Sequence, residues 1–262
     1  MATDLATFAQ FALSGLTTGC VYALVAIGFV LCANVSGIVN FAQGEYVMVG
    51  GIVTAGLGSL AVPLPVAIPI AVLLGAILGF AQERLTVAPI RRAPMFLQAT
   101  VALGVAVVIQ SAALLVWGKD PYGLSGFVGD DVFVLLGAYL PLQALFVWGA
   151  TAIFVVVTLY LLKYTELGRA IRAVAINPAA ATLMGIKIGR MSVLVFAASG
   201  AAGALAGVVI VPITSASWDS GLEFGVKGFT GAIIGGFRSP FWATVAALGL
   251  GILESLSAGY VS

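Results

Sequence analysis

The polar positions of this chain are few and bunched, and the gaps between them define its elements. Uncharged stretches run from Leu5 to Gly44, Tyr46 to Gln82, Ala93 to Gly118, Val132 to Leu162 and Met191 to Trp218. Each exceeds the roughly 20 residues that a helix needs to cross the hydrocarbon core of a bilayer. Two shorter apolar runs, Gly228 to Phe237 and Ser239 to Leu253, follow. A first span is expected from Leu5 to about Ala33, ended by Asn34, Ser36 and Gly37, and a second apolar segment from about Ile38 to Leu60. Pro63 and Pro65 mark a turn, and Pro65 to Ala81 is the third span. A charged loop, Gln82 to Pro94, leads to a fourth span, Met95 to Trp117. A polar stretch, Lys119 to Leu136, precedes a fifth span at Gly137 to Leu162, and a sixth covers Met191 to about Thr214.

The region from Leu222 to Leu256 is ambiguous, because Phe224 to Arg238 holds only about 15 residues and Lys227 trims it further. It reads either as a pair of short tilted spans or as a broken, re-entrant hairpin; non-helical backbone at membrane depth requires surrounding protein or water. The fold class is therefore all-α: a polytopic helical membrane protein with about 7–8 transmembrane helices, one transmembrane domain over residues 1–262.

Composition agrees. Of the 262 residues 61% are hydrophobic and 8% charged, where soluble domains carry about a quarter charged. Four glycine pairs have GxxxG spacing, Gly15/Gly19, Gly75/Gly79, Gly203/Gly207 and Gly231/Gly235, and such pairs let helix backbones approach closely in lipid. The two cysteines, Cys20 and Cys32, fall in one predicted helix, about 18 Å apart, beyond disulfide reach; they read as small core residues. The start, MATDLATF, lacks the basic region of a signal peptide, so the first run is expected to be a retained helix.

Charge orients the chain. Glu83, Arg84, Arg91 and Arg92 make one basic loop, and Lys163 to Arg190 makes another with Lys163, Arg169, Arg172, Lys187 and Arg190 against Glu166. Together they hold eight of the eleven Lys and Arg residues. Basic loops stay in the cytoplasm. The intervening loop with Asp120, Asp130 and Asp131 is then external, as are the N-terminus with Asp4, and Asp219 and Glu223, while Arg238 is internal. No basic tail or patch of a nucleic-acid-binding kind is present.

The Lys163–Arg190 loop reads as a helix pair. Leu167, Ile171 and Val174 form one apolar stripe beside Arg169 and Arg172. Asn177 is placed to cap a second helix, with Pro178 at its first position, Ala179 to Ala181 continuing it and Gly185 ending it in a left-handed cap. Physical chemistry alone leaves two uses open: lying on the inner leaflet, with arginines on lipid headgroups, or docking against a partner protein.

Chemistry is sparse. There is no histidine, no CxxC and no Ser/His/Asp set, so no catalytic or metal-binding residue is assigned. The only Gly-Lys, Gly118-Lys119, lacks the upstream glycine of a phosphate-binding loop. Ionisable groups at membrane depth are functional candidates, and two acids qualify, Glu45 and Glu254. Glu254 reads as interfacial or locally hydrogen-bonded. Asn40, Gln43 and Glu45 cluster at a glycine break, and Gly235 and Gly236 interrupt a short late segment; broken segments are candidate pathway elements.

Several stretches carry a resemblance. GRAIRAVAINPAAATLMGI, GLTTGCVYALVAIGFVLCANVSGIVNFAQGEYVMVGG, ERLTVAPIRRAP and GFTGAIIGGFRSPFWATVAALGLGILESLSAGY occur in collinear order over nearly the whole chain. They resemble permease subunits of bacterial branched-chain amino-acid ABC importers. The resemblance implies a non-catalytic plasma-membrane subunit that moves hydrophobic amino acids inward. Its partners would be a cytoplasmic ATPase that binds the ATP and Mg, a second permease subunit, alike or homologous, and an external substrate-binding protein. It further implies that Gly168, Arg169, Arg172, Asn177, Pro178, Ala180 and Gly185 form the ATPase contact. The family usually has His where this chain has Gln43, so proton chemistry is not expected there. It also continues past Tyr260 with another apolar segment, whereas this sequence ends at Ser262: either the sequence is truncated or this member lacks a C-terminal helix. The alternative from another class is an ion-coupled carrier or channel for small amphipathic solutes.

Overall fold

The computed structural model describes residues 2–127, 129, 131–237 and 239–261, with only the backbone for Ala2, Thr3 and Asp4. The charge placements expected for Asp4, Asp130 and Arg238 fall outside what is described. Among the described residues six helices are long and apolar enough to cross a membrane: Leu5–Ser36, Leu64–Ile90, Met95–Trp117, Leu142–Tyr164, Ile188–Thr214 and Pro240–Tyr260. In chain order the elements are α1 (Ala2–Ser36), α2 (Gln43–Ser59), α3 (Leu64–Gln82), a π-helical turn (Glu83–Val87), α4 (Ala88–Ile90) and α5 (Met95–Trp117). Then come β1 (Val132–Leu135), β2 (Ala138–Pro141), α6 (Leu142–Tyr164), α7 (Glu166–Ile176), α8 (Pro178–Leu183), α9 (Ile188–Thr214), α10 (Ser220–Ile234) and α11 (Pro240–Tyr260).

The core is built from α1, α2 and α9. Val21, Ala23, Leu24, Val25, Ala26, Ile27 and Val30 of α1 are fully buried, and 13 of the 17 residues of α2 are buried. A helix apolar all round is stable only when surrounded, and α3, α10 and α11 close around these three. Small residues set the crossings. Gly15 and Gly19 meet Gly251 and Leu248 of α11, Gly75 and Gly79 meet Gly200 and Phe196, Gly203 and Gly207 meet Tyr46 and Val47, and Gly231 and Gly235 meet Ala247 and Ala243. All four expected pairs thus lie at helix contacts. At the periphery, α5 exposes Leu103, Val107, Val108, Leu115 and Val116, and α6 exposes Ile153, Val156 and Tyr160. Apolar surface of this extent belongs against lipid tails, and the protein is a multi-pass membrane protein.

Three expectations need correction. The Gln82–Pro94 loop is largely helix: the third span continues through the π turn to Ile90. Pro89 has no N–H for the carbonyl four residues back, and the ladder widens just ahead of it. The fifth span begins at Leu142, not Gly137, because its first residues pair as a hairpin, Leu135 opposite Ala138. Leu136 and Gly137 both have positive φ, 54° and 83°, the geometry that lets a two-residue turn follow the twist of its strands. The all-α bundle therefore carries one small two-stranded sheet. Third, the second segment begins at Gln43 rather than Ile38, after a buried non-helical stretch.

That stretch determines depth. Gln43 lies against Gly28 and Ser199, and Gly28 is about 12 Å along α1 from its Ser36 end. The chain re-enters the bundle after Ser36 and starts α2 partway in. Asn40 turns the backbone by accepting from Ala42 N at 3.1 Å. The N-terminus of α10 meets α2 at the same level: a Cβ on Gly44 would collide with the Gly221 carbonyl oxygen. The Leu222–Leu256 ambiguity resolves as one short helix, α10, turning at Gly235–Phe237 into the full-length α11.

The two ends of the bundle differ. Gln10 bonds Tyr139 of the hairpin, Nε2 to O at 2.9 Å and N to Oε1 at 2.7 Å, and Tyr122 exchanges two 2.8 Å backbone bonds with Ala216. The N-terminal helix, the acidic stretch and the α9–α10 connection therefore share one end. At the other, Val87, Ile171, Val174 and Ala181 pack with Leu31, Val35 and Ile38 in one cluster, so both basic segments share that end.

Candidate functional site

Three groups of polar residues stand out, at the basic end, mid-bundle and the acidic end. At the basic end α7 folds back on α6. Gly168 permits this, since a Cβ there would collide with the carbonyl oxygens of Leu161 and Leu162, and Thr165 caps α7 by accepting from Gly168 N at 3.0 Å. Ile171 and Val174 face the bundle, while Leu167 is 39% exposed. Asn177 Oδ1 accepts from Ala180 N at 3.0 Å, with Pro178 opening α8. Gly185, at φ 83°, lets Ile186 N reach Ala181 O at 3.0 Å and close the helix. The caps read from the sequence are those observed. The outer surface of the pair is apolar at its tip, with Ile176, Leu183 and Met184 each more than four-fifths exposed. Arg169 lies 3.4 Å from Glu166, and Arg172 donates to Lys163 O at 3.3 Å.

Mid-bundle, Asn40 and Gln43 are fully buried, but in two separate bonded groups. Gln43 Nε2 donates to Ser199 O at 3.0 Å and its Oε1 accepts from Ser199 Oγ at 2.5 Å. Asn40 Oδ1 accepts from Gln82 Nε2 at 2.7 Å, and Tyr46 donates to Gln82 Oε1. Glu45 is 4% exposed and stands against Gly221, with Oε2 lacking a hydrogen-bond partner. Asn40, Gln43 and Glu45 are thus close in space, as in sequence. Gly235 and Gly236 are not with them: Gly235 packs on Ala243, and Gly236, at φ 78°, ends α10.

The acidic end holds a group that the residue-type reading did not assemble. A cavity of about 550 Å³ opens between α1, α10, α11 and the α9–α10 connection. Within it Lys227 Nζ lies 2.7 Å from Glu223 Oε1 and 2.5 Å from Glu254 Oε1, and Tyr22 OH donates to Glu254 Oε2 at 3.0 Å. Glu254 is therefore hydrogen-bonded, the second of the two readings made of it, and its partners come from two other helices. The available signal was Lys227, a lysine inside an apolar segment opposite a lone intramembrane acid; only the packing of α10 on α11 pairs them.

The profile of the family described as branched-chain amino acid transport system / permease component matches residues 11–262. The chain belongs to that family. It is 30% identical to the high-affinity branched-chain amino acid transport system permease protein LivH of Escherichia coli, over 97% of this chain and 87% of that relative. It is 27% identical to BraD, the corresponding permease protein of Pseudomonas aeruginosa, over 96% and 86%. The ribose import permease protein RbsC of Haemophilus influenzae is 28% identical over 82% of this chain and 65% of its own length. The cavity and the α7–α8 tip are at opposite ends of the bundle, with the buried Asn40–Gln43–Glu45 region between them.

Proposed function

We propose that this chain is one transmembrane half of an ATP-driven importer of branched-chain amino acids in the bacterial inner membrane. The basic end faces the cytoplasm and the hairpin end faces outward, following the distribution of Lys and Arg. A separate ATPase binds ATP and Mg and grips α7 and α8; an external binding protein delivers solute to the hairpin end; and a second permease subunit completes the pathway. Lipid covers α5 and α6. The observation that carries the reading is the α7–α8 tip. Ile176, Leu183 and Met184 stand out from a doubly capped helix pair. Docking rather than lying on the leaflet is favoured by the chain's membership of the permease family. In the proposed contact Gly168 sets the angle of α7, Asn177, Pro178 and Gly185 fix α8, Ala180 allows close approach, and Arg169 and Arg172 supply charge.

The orphan oxygen of Glu45 favours a second reading, an ion-coupled carrier. Reconstitution separates the two. Leucine uptake into proteoliposomes is expected only with ATPase, ATP and binding protein present. Uptake without ATP that collapses with an ion gradient sinks the importer reading.

A further inference from the structure

We infer that the cavity between α1, α10 and α11 is a zwitterion-binding site, in which Lys227 meets an α-carboxylate and Glu223 and Glu254 meet an α-ammonium. The inference rests on the reading of this chain as an amino-acid permease and gives that reading a substrate-handling site.

Three helices contribute to one charge cluster: Tyr22 from α1, Glu223 and Lys227 from α10 and Glu254 from α11. A Glu–Lys pair one turn apart on an exposed helix contributes little. This pair differs because a second carboxylate arrives from another helix, and the lysine side chain is only 27% exposed. The cluster also has spare capacity. An ammonium has three N–H donors, and two of those on Lys227 go to the glutamates. Two carboxylates against one ammonium leave one negative charge in surplus. Asp219 also lines the cavity, bonded by Ser217 Oγ at 2.5 Å.

The chemistry of exchange selects the ligand. A molecule with both charges can part Lys227 from a glutamate and give each a new partner. A molecule with only one charge gains one new pair instead of two and leaves the displaced group with water as its only partner, Lys227 being 27% and Glu254 40% exposed. The cavity's 550 Å³ lies in the range of small-molecule pockets. Its apolar wall is supplied by Phe224, whose ring is 6.4 Å from that of Tyr22. A branched aliphatic side chain is accommodated there while the charged end is held by the cluster.

The test uses the complete transporter, in which Ser14, a cavity residue, is replaced by Cys and labelled with a membrane-impermeant methanethiosulfonate. Cys20 and Cys32 are buried and give little background. Leucine is expected to slow labelling of S14C, with leucinamide and N-acetyl-leucine at least about tenfold weaker, as for a site whose polar groups go unpaired with an incomplete ligand. Lys227→Met and Glu254→Gln, each added to S14C, should label normally without ligand and lose the protection. The inference is overturned if leucine does not protect, if leucinamide protects equally, or if both variants keep protection. ATP-driven leucine uptake by the wild-type complex distinguishes the failures. Uptake without protection removes the cavity site and leaves the permease reading standing, while absence of ATP-driven leucine uptake removes the permease reading itself.

Discussion

Replacing Asn177 by Ala isolates the contribution of one hydrogen bond to coupling. The Asn177 side chain satisfies the Ala180 N–H, one of the free donors at the start of α8, at 3.0 Å. Loss of such a cap costs about 1 kcal/mol, within a range of roughly 0.5–2 kcal/mol. The helix has six residues, and Ala181 is its only buried one, so little tertiary packing compensates. A cost of about 1 kcal/mol lowers the ratio of formed to unformed α8 roughly fivefold. The bundle does not depend on α8, because the core lies in α1, α2 and α9, and the melting temperature should stay within about a degree. ATP-driven uptake should fall by up to about fivefold if the formed helix is what the ATPase grips. Asn177→Asp keeps an acceptor of equal capping quality and should restore it. The assay is initial uptake rate in proteoliposomes, with thermal unfolding measured on the same preparations. Wild-type uptake by Asn177→Ala would refute the reasoning, as would a large fall in melting temperature or failure of the Asp variant to rescue.

Arg172→Glu should reverse the charge beside the α7–α8 tip and weaken ATPase binding while insertion proceeds; undiminished co-purification of the ATPase would count against the assignment. Gln82→Leu leaves the Tyr46 hydroxyl proton without an acceptor in the core, while Asn40 Oδ1 keeps its bond from Ala42 N, at a cost of about 1–3 kcal/mol for the one unsatisfied group, read as a lowered melting temperature. Gly44→Ala forces a methyl group into the Gly221 backbone and should cost at least about 1–3 kcal/mol. Gly104→Ala on α5 meets nothing and should be neutral or stabilising by up to about 1 kcal/mol; equal effects would contradict the crossing geometry. Ser217→Cys should react with an impermeant thiol reagent from outside intact cells and Ala180→Cys only after permeabilisation; the reverse pattern would invert the proposed orientation.

Local rules accounted for the parts of this chain whose physics is local. The Met95–Trp117 helix is an uninterrupted apolar run, and it forms over those residues. Asn177, Pro178 and Gly185 specify the ends of α8 through backbone donors, a fixed φ and a left-handed φ, none of which requires a distant partner. Loop charge grouped the two basic segments at one end before any contact was known. Tertiary structure decided the rest. Asn40 to Gln43 could be read as polar residues at a break, but burial at mid-bundle follows from Gly28, Ser199 and Gly203 leaving room for Gln43. Continuation of the third span through Glu83 was hidden by its charges, because the partner of the buried Glu83, Arg91, is identified only once the helix has formed. The Lys227–Glu254–Tyr22 cluster unites residues up to 232 positions apart. A sequence displays charges one at a time, while the cost of burying them is set by neighbours that only the packing of α1, α10 and α11 supplies.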